Sequence, residues 1–248
     1  MDKPVETVEN FGRQPSFFEE THVLGIFAKE PLPGRVKTRL CPPLSPEQAA
    51  ALYHTSLVET ITRLTTGPWH TVVFYSGDRG FFREEFPDAW LKEQAGGDLG
   101  QRMGVAMQYL LTIGQRAILI GSDTPDLPLT HLQHAFAALM QRDFVIAPAA
   151  DGGYVLVGER IHHPALFRDI SWSTPEVLPV TRSRALEMGI ASTEVEPWED
   201  MDDLASLQRL LTRSPNSATA QMAVRLMGAA TPFGHNGLPR PGVFAPTD

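Results

Sequence analysis

The sequence is poor in cysteine, since Cys41 is the only one among its 248 residues. A single cysteine excludes an internal disulfide and any zinc site built from a cluster of cysteines. The histidines do not replace such a cluster, because His131, His134, His162 and His163 lack metal-type spacing with one another. The sequence therefore offers neither a disulfide framework nor a zinc motif.

Long apolar runs are also missing. The longest of them, such as residues 135–140, are far shorter than a membrane span. The N-terminus reads Met-Asp-Lys-Pro-Val-Glu and lacks the basic start and apolar core of a signal peptide. With 42% apolar residues, the composition is that of an ordinary soluble protein with one sizeable α/β domain and tails. We therefore expect a cytoplasmic protein without a membrane span.

The chain has no excess of positive charge. Its 21 lysines and arginines are outnumbered by 29 acidic residues, which gives a net charge of -8. A general nucleic-acid surface needs a broad basic patch, so we expect no nucleic-acid partner. Four of the 21 basic residues nevertheless fall between positions 29 and 39. This local concentration predicts an anion site on an otherwise acidic protein.

Short apolar runs alternate along the chain with segments of helical periodicity. Residues 22–28 and 116–121 are typical of strands buried on both faces, and Ser45-Pro46-Glu47 is typical of a helix start. The predicted strands are 22–28, 69–75, 89–94, 116–121, 143–148 and 192–196, and the predicted helices are 46–64, 81–86, 100–112, 128–142, 174–188 and 200–211. This alternation predicts an α/β fold with a mostly parallel sheet and helices on both faces.

The pattern changes where the turn dipeptide Asp151-Gly152 stands directly before the apolar run 154–157. Asp-Gly is typical of a hairpin turn, so we expect a small antiparallel excursion from the sheet. Residues 1–20 and roughly the last 20 residues have no apolar period, and we expect both ends to be flexible. The predicted division is a flexible segment 1–20, a folded domain 21–213 and a C-terminal extension 214–248.

The basic loop after the first strand is the first candidate site. It presents Lys29, Arg35, Lys37 and Arg39 around Gly34. A glycine lets the backbone approach a ligand closely, and closely spaced cations suit phosphate oxygens. The loop lacks the glycine spacing and Lys-Ser/Thr ending of a Walker P-loop, and the chain has no dinucleotide fingerprint. A phosphate site and a solvated basic loop both remain open.

Carboxylates supply the second candidate site. Asp123 follows the strand 116–121 directly, at the strand end where α/β proteins bind ligands, and is a candidate metal ligand. A helix cap or a tight turn would explain Asp123 equally well. Glu199 and Asp200 lie where the predicted helix 200–211 begins, and a divalent cation could draw oxygen ligands from this segment and from separate loops. Asp151 is either a turn residue or a further carboxylate in the same cleft.

Four motifs give the chain a resemblance to a known family. They are residues 27–40, residues 97–103 with the sequence Gly-Asp-Leu-Gly-Gln-Arg-Met, residues 121–127 with Gly-Ser-Asp-Thr-Pro-Asp-Leu, and residues 148–154 with Pro-Ala-Ala-Asp-Gly-Gly-Tyr. In this order they resemble the bacterial DUF2064 family of GT-A-type glycosyltransferases, over about residues 22–212. The chain also resembles, more distantly, nucleotidyltransferases that make phospholactate-guanosine or molybdopterin-guanine dinucleotides.

The resemblance implies roles for particular residues. The basic loop would hold nucleotide phosphates, and Asp123 would bind Mg²⁺ or Mn²⁺. Relatives often carry Val-Asp-Thr-Pro-Glu-Asp-Leu near the end of the domain, where this chain has Glu199 and Asp200 as candidate further ligands. The implied nucleotide-binding residues are Ala28, Lys29, Gly34, Arg35, Lys37, Thr38, Arg39, Asp98, Arg102 and Ser122. Arg35 and Lys37 would stabilise the leaving group, and Asp151 is the candidate general base.

The resemblance implies a metal-dependent transferase that moves a glycosyl group from a nucleotide-sugar to a small-molecule acceptor. One alternative is a nucleotidyltransferase that uses an NTP and releases pyrophosphate. Another is a protein that binds nucleotide without catalysis, although such a lapsed site would be expected to lose its cations or carboxylates.

Overall fold

The computed structural model describes residues 21–230, which form one seven-stranded sheet and seven α-helices. The strands are β1 (His22–Lys29), β2 (His70–Ser76), β3 (Trp90–Glu93), β4 (Arg116–Gly121), β5 (Phe144–Pro148), β6 (Tyr154–Glu159) and β7 (Ser192–Glu194). The helices are α1 (Pro46–Leu64), α2 (Arg79–Glu85), α3 (Leu99–Ile113), α4 (Leu129–Ala138), α5 (Val177–Glu187), α6 (Leu204–Arg213) and α7 (Ala218–Ala230). The predicted flexible segment 1–20 and the chain after residue 230 lie outside the described residues.

The sheet has the strand order β3-β2-β1-β4-β6-β5-β7. All neighbouring pairs are parallel except those of β6, which runs antiparallel to both β4 and β5. The predicted mostly parallel sheet with one antiparallel excursion is therefore confirmed. The turn before β6 places Gly152 at a φ of 88°, a conformation that glycine adopts without strain.

Helices cover both faces of the sheet. On one face Leu57 of α1, Phe82 of α2 and Phe136 of α4 belong to one buried cluster, and on the other Met107 of α3 and Leu178 of α5 belong to a second. Each fully buried side chain of this size contributes about 1.5–3 kcal/mol relative to an exposed one. No helix within residues 21–230 is long and apolar enough to cross a membrane.

A third, smaller apolar cluster lies outside the sheet and bears on the candidate site. It packs Leu40, at the end of the basic loop, against Leu52 of α1, Leu207 of α6 and Ala223 of α7. Met201, only 1% exposed, belongs to the same cluster. The basic loop and the acidic segment around Met201 are therefore held by one core.

Several helix boundaries differ from the prediction. Helix α6 begins at Leu204 rather than at residue 200, because Asp203 is extended and its carboxylate accepts the Ser206 amide at 2.8 Å as an N-cap. Helix α4 ends at Ala138 rather than at residue 142, where turns replace the helix. Helix α5 likewise begins at Val177, after a turn over residues 174–176. The shift of α6 leaves residues 200–202 non-helical and free to join a site.

Helix α7 is a helix that the sequence analysis did not predict. It packs along α1, and the Glu59 carboxylate of α1 accepts the amides of Ala218 and Thr219 at 2.9 and 2.8 Å. The hydroxyl of Ser217 also accepts the Ala220 amide at 3.1 Å, a local signal for the helix start. The helix extends to Ala230, so the first residues of the predicted C-terminal tail of roughly 20 residues are helical.

Candidate functional site

The candidate site lies at the carboxyl end of the sheet, where β1 and β4 run side by side. From β1 the sheet continues to β2 and β3 on one side, while the strands that follow β4 lie on the other. Such a reversal opens a crevice above the strand ends, the usual ligand position in α/β sheets. The amide of Ser122 donates to the carbonyl of Phe27 at 3.0 Å, so the two strand ends are in direct contact.

A buried set of hydroxyls fixes the end of β4. The Tyr53 hydroxyl lies 2.9 Å from the Ser122 hydroxyl and accepts the Lys29 amide at 2.9 Å. The hydroxyls of Ser56 and Thr60 donate to the Ser122 carbonyl at 3.2 and 3.3 Å. Burial raises the pKa of Tyr53, so its hydroxyl keeps its proton. The Ser122 side chain, predicted to bind nucleotide, is used inside the protein to join α1 to the strand end.

Lys37 of the basic loop turns inward. Its φ of 49° is uncommon for a residue other than glycine, and its side chain is only 3% exposed. The ammonium lies 3.0 Å from Oδ1 of Asp123 and 3.7 Å from Oδ1 of Asp202. The structure thus brings the predicted phosphate-binding lysine and the predicted metal ligand together.

The other cations of the loop lie on the surface. Lys29 and Arg35 are exposed. The neutral Thr38 is exposed as well, and Gly34 forms the loop tip with a φ of 72°. The guanidinium of Arg39 donates to Oδ2 of Asp202 at 2.6 Å, and its side chain is 66% exposed.

The acidic segment 199–202 completes one wall of the site. The amide of Met201 donates to the carbonyl of Asp123 at 2.9 Å, which places Asp200 and Asp202 beside the end of β4. Burial raises the pKa of Asp200 to about 6. The Lys37 ammonium acts to lower this pKa, whereas the carboxylates of Asp123, Asp202 and Asp151 raise it further. These carboxylates are close enough to repel one another, so the cluster favours a bound cation.

Glu199 points to a different set of partners from its neighbour Asp200. Its carboxylate accepts hydrogen bonds from Arg209 at 2.7 Å and from Arg213 at 3.3 Å, both on α6. The structure therefore groups Asp123 and Asp200 with Asp202 rather than with Glu199. The predicted helix 200–211 would place Asp202 in its first turn, but the N-cap at Asp203 places it ahead of α6.

The donor set fits a hard divalent cation that also has phosphate ligands. Within residues 21–230, no group of three His, Cys, Asp or Glu side chains is arranged to hold a metal ion by itself. Oδ1 of Asp123 is buried and has no hydrogen-bond donor, apart from the ion pair with the Lys37 ammonium. An oxygen of this kind suits a hard cation such as Mg²⁺ or Mn²⁺, which commonly takes further oxygen ligands from substrate phosphates.

Two further residues that were predicted to bind nucleotide, Asp98 and Arg102, lie at the start of α3. Arg102 donates to the side-chain oxygen of Gln94 at 3.1 Å. The amide group of Gln94 in turn donates to the carbonyls of Ala28 at 3.1 Å and Phe74 at 2.9 Å, at the ends of β1 and β2. Asp98 caps α3 by accepting the amide of its third residue at 2.8 Å. Gln94, which the sequence analysis did not single out, therefore ties Arg102 to the end of β1.

Asp151 has a structural role that the sequence already suggested. Its Oδ1 accepts the Gly153 amide at 2.9 Å and closes the turn before β6. A side chain at Gly152 would lie 2.5 Å from the carbonyl oxygen of Pro175, so this turn packs tightly on the segment before α5. The Asp151 carboxylate is also one of the charges that raise the pKa of Asp200. The turn residue therefore also faces the acidic cluster.

Comparisons with known proteins agree with this architecture. A profile of the DUF2064 family, described as uncharacterized proteins conserved in bacteria, matches residues 60–174. A crystal structure from Desulfovibrio desulfuricans G20, provisionally named a nucleotide-diphospho-sugar transferase, is 30% identical in sequence with a TM-score of 0.78. The alignment covers 84% of this chain and 96% of that one. This chain belongs to the DUF2064 family. The predicted family and fold are thus confirmed.

More distant DUF2064-like folds occur among nucleotidyltransferases. A cytidylyltransferase from Leptospira borgpetersenii has a TM-score of 0.53 at 12% identity, over 85% of this chain and 95% of that one. A 4-diphosphocytidyl-2C-methyl-D-erythritol synthase from Anaerococcus prevotii has a TM-score of 0.51 at 8% identity, over 80% of this chain and all of that one. At such identities the likeness shows the fold alone. A search of curated proteins found no match.

The family profile and the site overlap only in part. Asp98, Arg102, Asp123 and Asp151 lie inside the matched residues 60–174. The basic loop and the acidic segment 199–202 lie outside it, and they are joined to the site by the contacts described above. The relative that is 30% identical is a transferase by its provisional name, in agreement with the predicted class of enzyme.

Proposed function

We propose that this DUF2064 protein is a metal-dependent transferase that binds a nucleotide-sugar and transfers the glycosyl group to a small-molecule acceptor. The observation that carries the proposal is the meeting of Lys37, Asp123 and the acidic segment at the crevice between β1 and β4. The relative that is 30% identical is named for the same class of donor, which supports a nucleotide-sugar.

The acidic and the basic residues of the site would bind different parts of a metal–diphosphate complex. Asp123 and Asp200, with Asp202 beside them, would hold Mg²⁺ or Mn²⁺, which neutralises the charge of the diphosphate leaving group. The exposed Lys29 and Arg35 would bind phosphate oxygens that the metal leaves uncovered.

Lys37 makes metal and nucleotide binding interdependent. Without ligand, its ammonium already neutralises the Asp123 carboxylate at 3.0 Å. A divalent cation therefore has to compete with a buried ion pair for the same oxygen. A bound diphosphate gives the ammonium a second anion to pair with, so the Asp123 oxygen becomes available. We infer that the metal binds together with the nucleotide rather than before it.

The remaining residues would orient the two substrates. Arg102, held by Gln94 at the end of β1, and the start of α3 at Asp98 would contact the nucleotide. Asp151 would accept the proton of the acceptor hydroxyl, because it is an exposed carboxylate on the β6 side of the cluster.

Nucleotidyl transfer from an NTP, with pyrophosphate release, is the second candidate function. The position of Lys37 favours it, because a buried ammonium against the metal carboxylate also suits charge that develops at an α-phosphate. The two reactions differ in the bond that breaks. Glycosyl transfer leaves the nucleoside diphosphate intact, whereas nucleotidyl transfer needs attack at the α-phosphorus.

Ligand screening followed by product analysis tests the proposal. The purified protein is melted with Mn²⁺ against nucleotide-sugars and NTPs, since a ligand at about 100 times its dissociation constant stabilises by roughly 2.7 kcal/mol. Ligands that raise the melting temperature are then incubated with candidate acceptors, with Asp123→Ala as the inactive control. We expect a nucleotide-sugar to stabilise most and nucleoside diphosphate to be released. Pyrophosphate release from an NTP would establish the second candidate, and stabilisation without turnover would point to a binding protein.

A further inference from the structure

Arg213, the last residue of α6, connects the two segments that carry the candidate metal ligands. Its Nε and Nη2 donate to the two carboxylate oxygens of Asp126 at 2.7 and 3.1 Å. Its third nitrogen, Nη1, donates to the carboxylate of Glu199 at 3.3 Å. One guanidinium therefore binds two carboxylates from distant parts of the chain, with the planar two-pronged geometry that lysine cannot reproduce.

Asp126 is the fixed end of this connection. Its side chain is 5% exposed, and it accepts two further hydrogen bonds, from the Ser214 hydroxyl at 2.8 Å and from the indole of Trp198 at 3.3 Å. The guanidinium carbon of Arg213 lies 4.7 Å from the centre of the Trp198 ring. A buried carboxylate with this many partners is held in one position, because each lost partner would leave a charge unsatisfied.

Both carboxylates bound by Arg213 are near neighbours of candidate metal ligands in the sequence. Asp126 closes the loop that begins with Asp123 after β4, and Glu199 directly precedes Asp200. Between the two segments, the described backbone contact is the bond from the Met201 amide to the Asp123 carbonyl at 2.9 Å. Arg213 joins the same two segments through side chains, at Asp126 and at Glu199.

We propose that Arg213 is a positioning residue of the metal site, which fixes the separation between the Asp123 and Asp200 carboxylates. The proposal rests on the proposed function for the metal itself, but its coupling of the two segments is a property of the unliganded protein. Partners that orient metal ligands typically change metal affinity by about 10- to 100-fold when mutated. In this role Arg213 acts through the carboxylates of Asp126 and Glu199.

The neighbouring Arg209 provides a matched control. It lies on the same helix and pairs with the same Glu199 carboxylate at 2.7 Å, but its side chain is 50% exposed. Among the described residues, the salt bridges of Asp126 involve Arg213 and not Arg209. If only the charge near Glu199 mattered, Arg209→Ala would have the larger effect, because Arg213→Lys keeps the positive charge.

The test compares Arg213→Lys and Arg209→Ala with the wild-type protein in three measurements. Hydrogen exchange of the unliganded protein follows the Met201 amide, and the melting temperature reports overall stability. Mn²⁺ affinity is measured by calorimetry in the presence of whichever of ADP, CDP, GDP, UDP and dTDP raises the melting temperature most. For Arg213→Lys we expect faster exchange at Met201 and about a tenfold loss of Mn²⁺ affinity. For Arg209→Ala we expect both quantities within about twofold of wild type, since exposed pairs contribute little.

Each outcome decides a different question. Unchanged exchange at Met201 in Arg213→Lys, or equal effects of both variants, would overturn the positioning role. A lower melting temperature with unchanged Mn²⁺ affinity would make Arg213 a purely structural residue and would overturn it too. If wild-type protein bound no Mn²⁺ with any of the nucleotides, the proposed metal function would fail, and the exchange measurement alone would decide whether Arg213 couples the two segments.

Discussion

Replacing Lys37 by methionine tests the competition between the lysine and a divalent cation. Methionine keeps much of the apolar length of the side chain but removes the charge that lies 3.0 Å from Asp123. The carboxylates of Asp123, Asp200 and Asp202 then share the site without their buried cation. We expect the variant to be less stable than wild type without metal, and to bind Mn²⁺ without nucleotide.

The size of the effect follows from the exposure of the two partners. The Lys37 side chain is 3% exposed, whereas that of Asp123 is 37% exposed and keeps contact with water. Removing one partner of a fully buried pair costs about 3–5 kcal/mol, so we expect about 1–3 kcal/mol for this half-buried one. In a domain of this size such a loss lowers the melting temperature by about 2–12 °C.

The assay is a melting curve of wild type, Lys37→Met and Arg39→Met, with chelator and then with Mn²⁺ but no nucleotide. Arg39 is the matched control because it pairs with Asp202 from the surface, with a side chain that is 66% exposed. Mn²⁺ should restore the stability of Lys37→Met and should leave the other two proteins unchanged. An equal rise in wild type would refute the competition, and so would a Lys37→Met variant that neither loses stability nor responds to Mn²⁺.

Three further predictions concern single side chains. Asp123→Ala should abolish joint binding of Mn²⁺ and nucleotide in calorimetry while the protein stays folded, and unchanged binding would remove Asp123 from the site. Arg35→Ala should weaken nucleotide binding by about 1–3 kcal/mol without lowering the melting temperature, because the side chain is exposed; the reverse pattern would make the loop structural. Glu59→Ala should lower the free energy of unfolding in urea by about 1–2 kcal/mol, because this carboxylate caps α7 at Ala218 and Thr219. Nucleotide affinity should not change in Glu59→Ala, and a clear loss would place α7 in the binding unit.

The sequence by itself determined the order and type of most elements. Branched apolar runs are sufficient to predict β1 and β4, because a strand buried on both faces needs such residues along its whole length. Local chemistry also predicts the start of α1, where Ser45 and Gln48 form a capping box, and the turn that Asp151 closes before β6. The position of Asp123 at a strand end follows directly from the pattern. In each case the partners are within a few residues of one another.

The tertiary structure decided which of the charged residues meet. Four basic residues in the loop are equivalent in the sequence, yet Lys37 alone among them is buried, because Asp123 and Asp202 lie opposite its ammonium. Glu199 and Asp200 were predicted to act together as metal ligands, but the structure separates them for a similar reason. Arg213 of α6 forms a salt bridge with Glu199.

The start of helix α7 and the hydrogen bonds of Gln94 also depend on contacts between residues that are far apart in the sequence. Gln94 binds carbonyls at the ends of β1 and β2, which become neighbours only when the sheet forms. Glu59 caps a helix that begins at Ala218, and its carboxylate is remote from that helix in the sequence. Hydrophobic periodicity and helix capping reflect interactions within one or two helical turns. The choice of partner for a charge or an amide is made by packing, and only the folded chain contains that information.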